Sequence, residues 1–223
     1  VLDENHAARR RTRNSRRDPE LTRWEILEAA VEEFSIGGFA ATSLERIAMR
    51  AGISKSGIYA HYGSKEEVFE GMLSMLLLPW EGHHCEGLLE GAEAVSLSEL
   101  LDHYLDRIYA QLSDPRAVAA FRLLMTESGR IPDVVQQWAR RMLERSLFGD
   151  RRFLDLCIEK GLIRGDFSNE DYFFGTMPGA LWLMQQVLFG AGDGAPVSQA
   201  RLRALHKRLL MEVLAPVNPA QSG

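Results

Sequence analysis

The fold of this chain is decided by residues 42–65, TSLERIAMRAGISKSGIYAHYGSK. The segment predicts two short helices joined by a tight turn. The first helix has apolar residues at Leu44, Ile47 and Ala48. Their spacing of three to four positions is that of the buried face of a helix. Gly52 breaks this helix, because glycine adopts the left-handed backbone conformation that a tight turn requires. Ser54 caps the second helix, which stops at Gly63.

Further helices flank this segment. Residues 42–45 and 64–67 have the capping-box pattern, in which a Ser or Thr precedes a Glu by three positions. Asp18-Pro19 predicts the start of an upstream helix, which Gly37-Gly38 ends. A longer helix follows Ser64, and together these elements predict a compact helical bundle.

The rest of the chain also has helical periodicity, in longer segments, and no convincing strand pattern. Its last two predicted helices are Asn169 to Phe189 and Val197 to Val213. Pro178 lies inside the first of these and predicts a kink, because proline removes a backbone hydrogen bond. The predicted fold class is therefore all-α.

The two helices within residues 42–63 have the arrangement of a DNA-binding helix-turn-helix, whose second helix enters the major groove. The start of that helix at Ser54 offers unpaired N–H groups that attract phosphate, and Lys55 adds a positive charge. Tyr59 and His61 add donors, while Gly57 permits close approach of the backbone. DNA binding is the first hypothesis from the residues alone.

Charge is unevenly distributed along the chain. Residues 6–17 contain six arginines and no acidic residue. Residues 1–65 have a net charge of +2 and the remainder −7, within a total of −5. A basic arm on an acidic protein favours contact with a polyanion at one end, with a merely solvated tail as the alternative.

Residues 42–48 and 51–68, TSLERIA and AGISKSGIYAHYGSKEEV, resemble the signature of the TetR family of transcriptional regulators. The resemblance extends over about residues 20–75 and includes Gly38-Phe39, near the end of the upstream helix. Residues 157–166 are similar to a stretch common in the C-terminal half of the family.

The resemblance implies an all-helical protein with an N-terminal three-helix DNA-binding domain and a C-terminal helical domain for ligand binding and dimerisation. It also implies a homodimer on a palindromic operator, with recognition helices about 34–36 Å apart or somewhat more. The positions matching DNA contacts of the family are Thr42, Arg46, Ser54, Lys55, Ser56, Gly57, Tyr59, Ala60, His61 and Lys65. Of these, Thr42, Tyr59, His61 and Lys65 match positions that hold phosphates, and Arg46 lies at the groove rim.

The sequence departs from the commonest family pattern at Ser56-Gly57 and at Ala60. Because Gly57 has no side chain and Ala60 only a methyl group, we expect few direct contacts with bases. Lys55 can reach guanine, and the Ala60 methyl can touch a thymine methyl. DNA shape, or entry of the arginine arm into a minor groove, would supply the remaining specificity.

Large apolar and aromatic residues of the C-terminal region are candidates for an effector site, although each is also an ordinary core residue. Flexible methionines and aromatic rings favour an apolar or aromatic effector. The candidates are Met72, Met75, Tyr104, Phe121, Met125, Trp138, Met177 and Trp182. The last two predicted helices form the dimer interface in the family.

Other function classes have weaker support. His83-His84-Cys85 cannot all face one metal ion from a helix, since successive side chains point about 100° apart. Cys85 and Cys157 are too few for a disulfide framework and have no neighbouring cation to make them redox-active. No catalytic motif stands out, so a helical enzyme or an adaptor without DNA binding is the runner-up, and we expect no metal or cofactor.

The expected domains are a basic arm at 1–17, the helix-turn-helix domain at 18–64, the effector-binding and dimerisation domain at 65–216 and a tail at 217–223. No segment is apolar enough to span a membrane, and a cytoplasmic protein is expected. The predicted function is a repressor released from operator DNA by a small effector. An activator or co-regulator of the same fold is the alternative.

Overall fold

The structure is a computed structural model that describes residues 19–78, 95–148, 151–166, 168–190 and 195–216. These residues form ten helices and no strand, so the predicted all-α class is confirmed. The helices of the N-terminal part are α1 (Pro19–Ala41), α2 (Leu44–Arg50), α3 (Lys55–Tyr59) and α4 (Lys65–Leu77). Those that follow are α5 (Leu97–Leu112), α6 (Pro115–Glu127), α7 (Pro132–Phe148), α8 (Arg151–Glu159), α9 (Asn169–Phe189) and α10 (Gln199–Leu214).

The chain divides into two compact units, with the division after Met72 inside α4. The predicted cap at Ser54 is confirmed, because its side chain accepts the backbone N–H of Gly57. Ser96, Asp114 and Ser168 cap helices of the second unit in the same way. The arginine arm, His83-His84-Cys85 and the tail at 217–223 lie outside the described residues.

The first unit is built on an apolar core to which each of its helices contributes. Its members with no exposed surface are Ile26, Ala30, Phe34, Ile47, Ile58, Val68, Phe69 and Met72. Phe69 of α4 meets the ring edges of Phe34 and Phe39 at centroid distances of 5.1 and 5.3 Å. This aromatic cluster joins α1 to α4.

Two glycines set the turns of the first unit. Gly38 has φ of 68° inside α1, so regular helix geometry breaks there as the sequence predicts, although α1 continues to Ala41. Gly52 has φ of 67° in the turn between α2 and α3. A side chain at either position would strain the backbone.

The second unit packs α9 against α5, α6, α7 and α10, and α5 against α10. The contacts of α9 are close because Gly175 lies against Leu210 of α10 and Gly179 against Leu112 of α5. α9 is one helix that contains Pro178. Its predicted bounds, Asn169 to Phe189, agree with the structure.

The opposite face of α9 is apolar and exposed. The α9 stripe, as we call it, has spacings of three and four residues and consists of Phe174, Met177, Leu181, Met184 and Leu188. Phe174 and Leu188 are 67% and 66% exposed, which is unusual for such large apolar side chains. A stripe with this period fits the face of a second helix.

Within the described ranges, every helix is too short or too polar to cross a membrane.

Candidate nucleic-acid interface

The helix-turn-helix is formed by α2, the turn at Gly52 and α3. Hydrogen bonds from Gly52 N to Met49 O (3.2 Å) and from Ile53 N to Ala48 O (3.0 Å) close the turn onto the end of α2. Ser54 Oγ accepts from Gly57 N at 3.0 Å and caps α3. Short-range polar contacts therefore fix the entry angle of α3.

α3 buries one side and exposes the other. Ile58 is completely buried, whereas Lys55, Ser56 and Ala60 are exposed and Tyr59 is 45% exposed. Ser54 is also exposed, its hydroxyl 3.0 Å from that of Ser56. A helix anchored by a single isoleucine presents its polar side to the surroundings, as a helix that enters a DNA groove must.

Two other residues that were predicted to contact DNA are half-buried. Gly57 is half-buried, and a Cβ there would lie 3.2 Å from Ser54 Oγ. His61 is half-buried at the end of the helix-turn-helix. Their backbone positions remain beside the exposed residues of α3.

Thr42 lies in the interior, where the phosphate contact expected for its side chain has no support. Its hydroxyl donates to Glu33 O (3.1 Å) and Gly38 O (2.8 Å). The predicted capping box at 42–45 is also wrong, because Ser43 caps α2 by accepting from Arg46 N at 3.3 Å. Sequence spacing could not distinguish two adjacent hydroxyl residues.

Lys65 is half-buried, and its ammonium group is engaged inside the first unit. Lys65 Nζ donates to Phe39 O (2.7 Å) and Thr42 O (3.0 Å). It also lies 4.3 Å from the centre of the Phe39 ring, in a cation–π contact. The structure therefore places the charge of Lys65 at the end of α1, where it fixes the start of α4.

Arg46 forms an ion pair that the sequence did not predict. Its Nε donates to Glu33 Oε2 at 2.9 Å, and Arg50 Nε donates to Glu33 Oε1 at 2.6 Å. The Glu33 side chain is 5% exposed. The hydrogen bond from Arg50, with the positive charge of Arg46, keeps the pKa of Glu33 below its ordinary value despite burial. Glu33 thus holds α2 against α1.

Lys55, the first residue of α3, pairs with Glu45 of α2. Lys55 Nζ lies 2.7 Å from Glu45 Oε1, and both side chains are largely exposed. The hydrogen bond from Lys55 lowers the pKa of Glu45, and Glu45 in turn raises the pKa of Lys55. Glu45 was not among the predicted contact residues, because its partner lies ten positions away across the turn.

The effector candidates fall in both compact units and differ in burial. Met72 is buried in the first unit, and the others belong to the second. Trp138 and Trp182 are buried and donate through Nε1 to Ser74 Oγ (3.2 Å) and Ser113 Oγ (3.0 Å). Met75, Tyr104 and Phe121 are half-buried.

Two effector candidates lie on the surface. Met125 of α6 is 59% exposed, and Met177 belongs to the α9 stripe. An effector site enclosed by the second unit would not include them in these positions. Their helical spacing alone could not indicate which face is buried.

A buried polar group in the second unit was not predicted. The Tyr109 hydroxyl lies 3.3 Å from Nδ1 of His206, whose Nε2 donates to Gly175 O. Burial raises the pKa of Tyr109 and lowers that of His206. The contact joins α5, α9 and α10, from residues almost a hundred positions apart.

Among the described residues, no three His, Cys, Asp or Glu side chains are placed to hold one metal ion. Of the two cysteines, Cys157 is buried.

The exposed polar side of α3, held by a capped turn on a small helical core, defines a helix-turn-helix DNA-binding protein. Residues 26–72 match the sequence model of the bacterial regulatory proteins of the tetR family. This part of the chain is therefore a DNA-binding domain of the TetR family of transcriptional regulators. Regulators of this family bind operator DNA and are not enzymes.

Individual relatives support the same assignment. The HTH-type transcriptional repressor SCO4008 of Streptomyces coelicolor is 47% identical over 62 residues, 28% of this chain and 32% of that protein. The HTH-type transcriptional regulator YfiR of Bacillus subtilis is 29% identical over 153 residues, 64% of this chain and 66% of its own. The chain thus matches between about a third and two thirds of the length of these relatives.

The fold is similar over a longer range. The crystal structure of a TetR family transcriptional regulator from Pseudomonas syringae covers 87% of this chain and 96% of its own, with a TM-score of 0.59 and 26% identity. The family model thus matches residues 26–72, which include the helix-turn-helix, and similarity of fold extends into the second unit.

Proposed function

We propose that this protein is a ligand-responsive transcriptional repressor that binds a palindromic operator as a homodimer. The observation that carries the proposal is the division of α3, with Ile58 fully buried and Lys55, Ser56, Tyr59 and Ala60 exposed. The family supports DNA binding, and the name of the Streptomyces relative supports repression.

The exposed side of α3 is assigned to the DNA. Tyr59 and His61 are placed near phosphates, while Lys55, Ser56, Gly57 and Ala60 are placed near base edges. Arg46 is assigned to the groove rim in the orientation set by Glu33. Thr42 and Lys65 are assigned to positioning, since their polar groups bind within the first unit.

We assign the interface of the homodimer to the α9 stripe together with α10, where Leu209 is also exposed. An isolated chain would leave Phe174, Leu181 and Leu188 in water, and a second copy would bury them in a two-fold symmetric contact. A dimer places two α3 helices on one duplex, which is the requirement for a palindromic operator.

The effector is assigned to the second unit, with α4 as the moving element. The first residue of α4, Lys65, is bonded to Phe39 O and Thr42 O within the first unit. Its last turn accepts, within the second unit, hydrogen bonds from Gln111 at Met75 O (3.1 Å) and Leu76 O (3.3 Å). A small apolar or aromatic effector that favours a shifted α4 would lower operator affinity by its differential affinity for the two states.

The domain assignment follows from these roles. We assign 1–17 to a basic arm, 18–64 to DNA binding, 65–216 to effector binding and dimerisation and 217–223 to a tail. The compact units divide at Met72, because the first half of α4 packs with α1 in the aromatic cluster. α4 thus belongs to both functions.

The effector assignment is tested by tryptophan fluorescence. Compounds that release the protein from DNA should quench the emission, and quenching should fall in Trp138→Phe, because Trp138 lies beside Ser74 of α4. Trp24→Phe is the control, because Trp24 is an exposed tryptophan of α1 in the first unit and is not an effector candidate. If quenching in Trp138→Phe equalled that of the wild type, Trp138 would not be part of the effector site.

The repressor proposal is tested by selection from random-sequence DNA duplexes with the full chain. A palindromic consensus with half-sites about one helical turn apart, or somewhat more, is expected. Placed upstream of a reporter gene, the consensus should reduce transcription when the protein is expressed. Increased transcription would instead identify an activator, and the absence of a consensus would contradict sequence-specific binding.

A further inference from the structure

The ion pair between Lys55 and Glu45 is an unusual feature for a surface directed towards DNA. Lys55 is the first residue of α3, and its ammonium group lies 2.7 Å from a carboxylate oxygen of Glu45 in the first turn of α2. Both side chains are exposed, at 67% and 48%. Glu45 therefore carries a negative charge to the place where the recognition helix begins.

Lys55 has few neighbours that could share its role. Gly57 and Ala60 offer at most one methyl group, and the hydroxyl groups of Ser54 and Ser56 lie 3.0 Å from each other. Ser54 also accepts the N–H of Gly57 as the helix cap. Lys55 is consequently the long charged side chain on the exposed side of α3.

We propose that Glu45 is a specificity-determining residue, which acts through Lys55 to weaken binding to nonspecific DNA and to direct Lys55 to a G·C base pair. The inference rests on the proposed DNA-binding function and names one of its determinants. It adds to that function a residue from outside the recognition helix.

The chemistry of the base edges supports a G·C pair. In the major groove, guanine offers the acceptors N7 and O6, and its cytosine partner offers the N4 amino donor. An ammonium group beside a carboxylate is complementary to this arrangement, because Lys55 can donate to guanine while Glu45 accepts from cytosine. A T·A base pair would instead place the O4 acceptor of thymine near Lys55 and Glu45. The Glu45 carboxylate would be repelled by that oxygen.

The same carboxylate opposes binding without sequence recognition. Nonspecific complexes depend on cations that neutralise phosphates and release counterions. A phosphate that approaches Lys55 must compete with Glu45 and is itself repelled by it. An ion pair between two solvent-exposed side chains contributes little to stability, so Lys55 and Glu45 can separate at a correct site.

The test compares Glu45→Gln with the wild-type full chain on a duplex of scrambled sequence. We expect Glu45→Gln to bind this duplex about three- to fivefold more tightly, with a salt slope steeper by up to about 0.9, the value for one additional phosphate contact. Selection from random-sequence duplexes should lose a G·C preference at one position in each half-site. Urea unfolding of both proteins establishes that the fold is unchanged.

Glu32→Gln is the matched control. Glu32 is an exposed acid of the same unit and pairs with Arg50, so its removal changes the net charge equally. We expect this variant to bind scrambled DNA almost as wild type does. A Lys55→Gln background completes the comparison, because there the effect of Glu45→Gln should shrink to that of Glu32→Gln.

The outcomes separate the inference from the proposed function. Equal effects of Glu45→Gln and Glu32→Gln, or an undiminished effect in the Lys55→Gln background, would overturn the role of the pair. A retained G·C preference in Glu45→Gln would overturn the base assignment. Failure of the wild type to select any consensus would instead contradict the proposed function, whatever the scrambled-duplex comparison gives.

Discussion

α3 and α9 differ in what they leave exposed. α3 buries Ile58 and exposes Lys55, Ser56 and Tyr59, whereas α9 buries Gly175 and Gly179 and exposes the large apolar residues of the α9 stripe. A polar exposed helix suits a hydrated, charged partner, and an apolar exposed helix suits a protein surface that excludes water. The same chain thus has two different surfaces, and we propose that one binds DNA and the other a second copy of the chain.

The largest expected effect is on the α9 stripe. Leu181→Glu with Leu188→Glu should raise the dimer dissociation constant more than about 100-fold, because carboxylates without partners would be buried at the contact. Sedimentation should then detect monomers, with operator affinity lost in parallel. Met125→Glu, an exposed methionine of α6, is the control and should remain dimeric. A dimer that survives the double substitution would place the interface elsewhere.

The buried side of α3 comes next. Ile58→Ala should lower the free energy of unfolding by about 2–5 kcal/mol, because it removes a completely buried side chain from the core. Urea unfolding followed by circular dichroism measures the change. Met49 is an exposed residue of the same unit, and Met49→Ala should change the free energy of unfolding by less than about 0.5 kcal/mol. Equal effects would mean that Ile58 does not anchor the helix.

The exposed side of α3 predicts a smaller effect. Tyr59→Phe should weaken operator binding about fivefold, which corresponds to one lost hydrogen bond to phosphate, and should leave the dimer intact. Fluorescence anisotropy measures the affinity and sedimentation the dimer. Wild-type affinity in this variant would show that the hydroxyl group does not contact DNA.

The smallest effect concerns His206, behind the α9 stripe. Burial lowers the pKa of this histidine in the folded protein, whereas in the unfolded chain its pKa is about 6.5. Below that pH the unfolded state binds a proton that the folded state resists, so stability falls as pH falls from 7.5 to 5.5. His206→Gln should show a smaller drop in the urea midpoint over this interval. An identical pH dependence would mean that His206 does not control it.

The helix-turn-helix could be predicted because its signals are local. Helix spacing, Gly52 and the Ser54 cap all lie within the segment that they organise, and the structure agrees with each. The bounds of α9 were also predicted, since Ser168 marks its start and Gly190 its end.

The side-chain environment could not be predicted where partners are distant in sequence. Lys65 matches a position that holds phosphate in the TetR family, but its partner Phe39 lies 26 positions before it. Arg46 and Glu33 are 13 positions apart on different helices. Helical periodicity likewise indicates that Met177 and Trp182 belong to a helix, and only packing decides which of them is buried.

We propose that α3 recognises a particular DNA sequence. The most direct test is fluorescence anisotropy of the wild-type chain on the selected duplex and on its scrambled form, over a series of salt concentrations. We predict binding to the selected duplex at least about 1,000-fold tighter, with a steep salt dependence of about −0.9 per phosphate contacted. Equal affinity for the two duplexes at every salt concentration would contradict the claim.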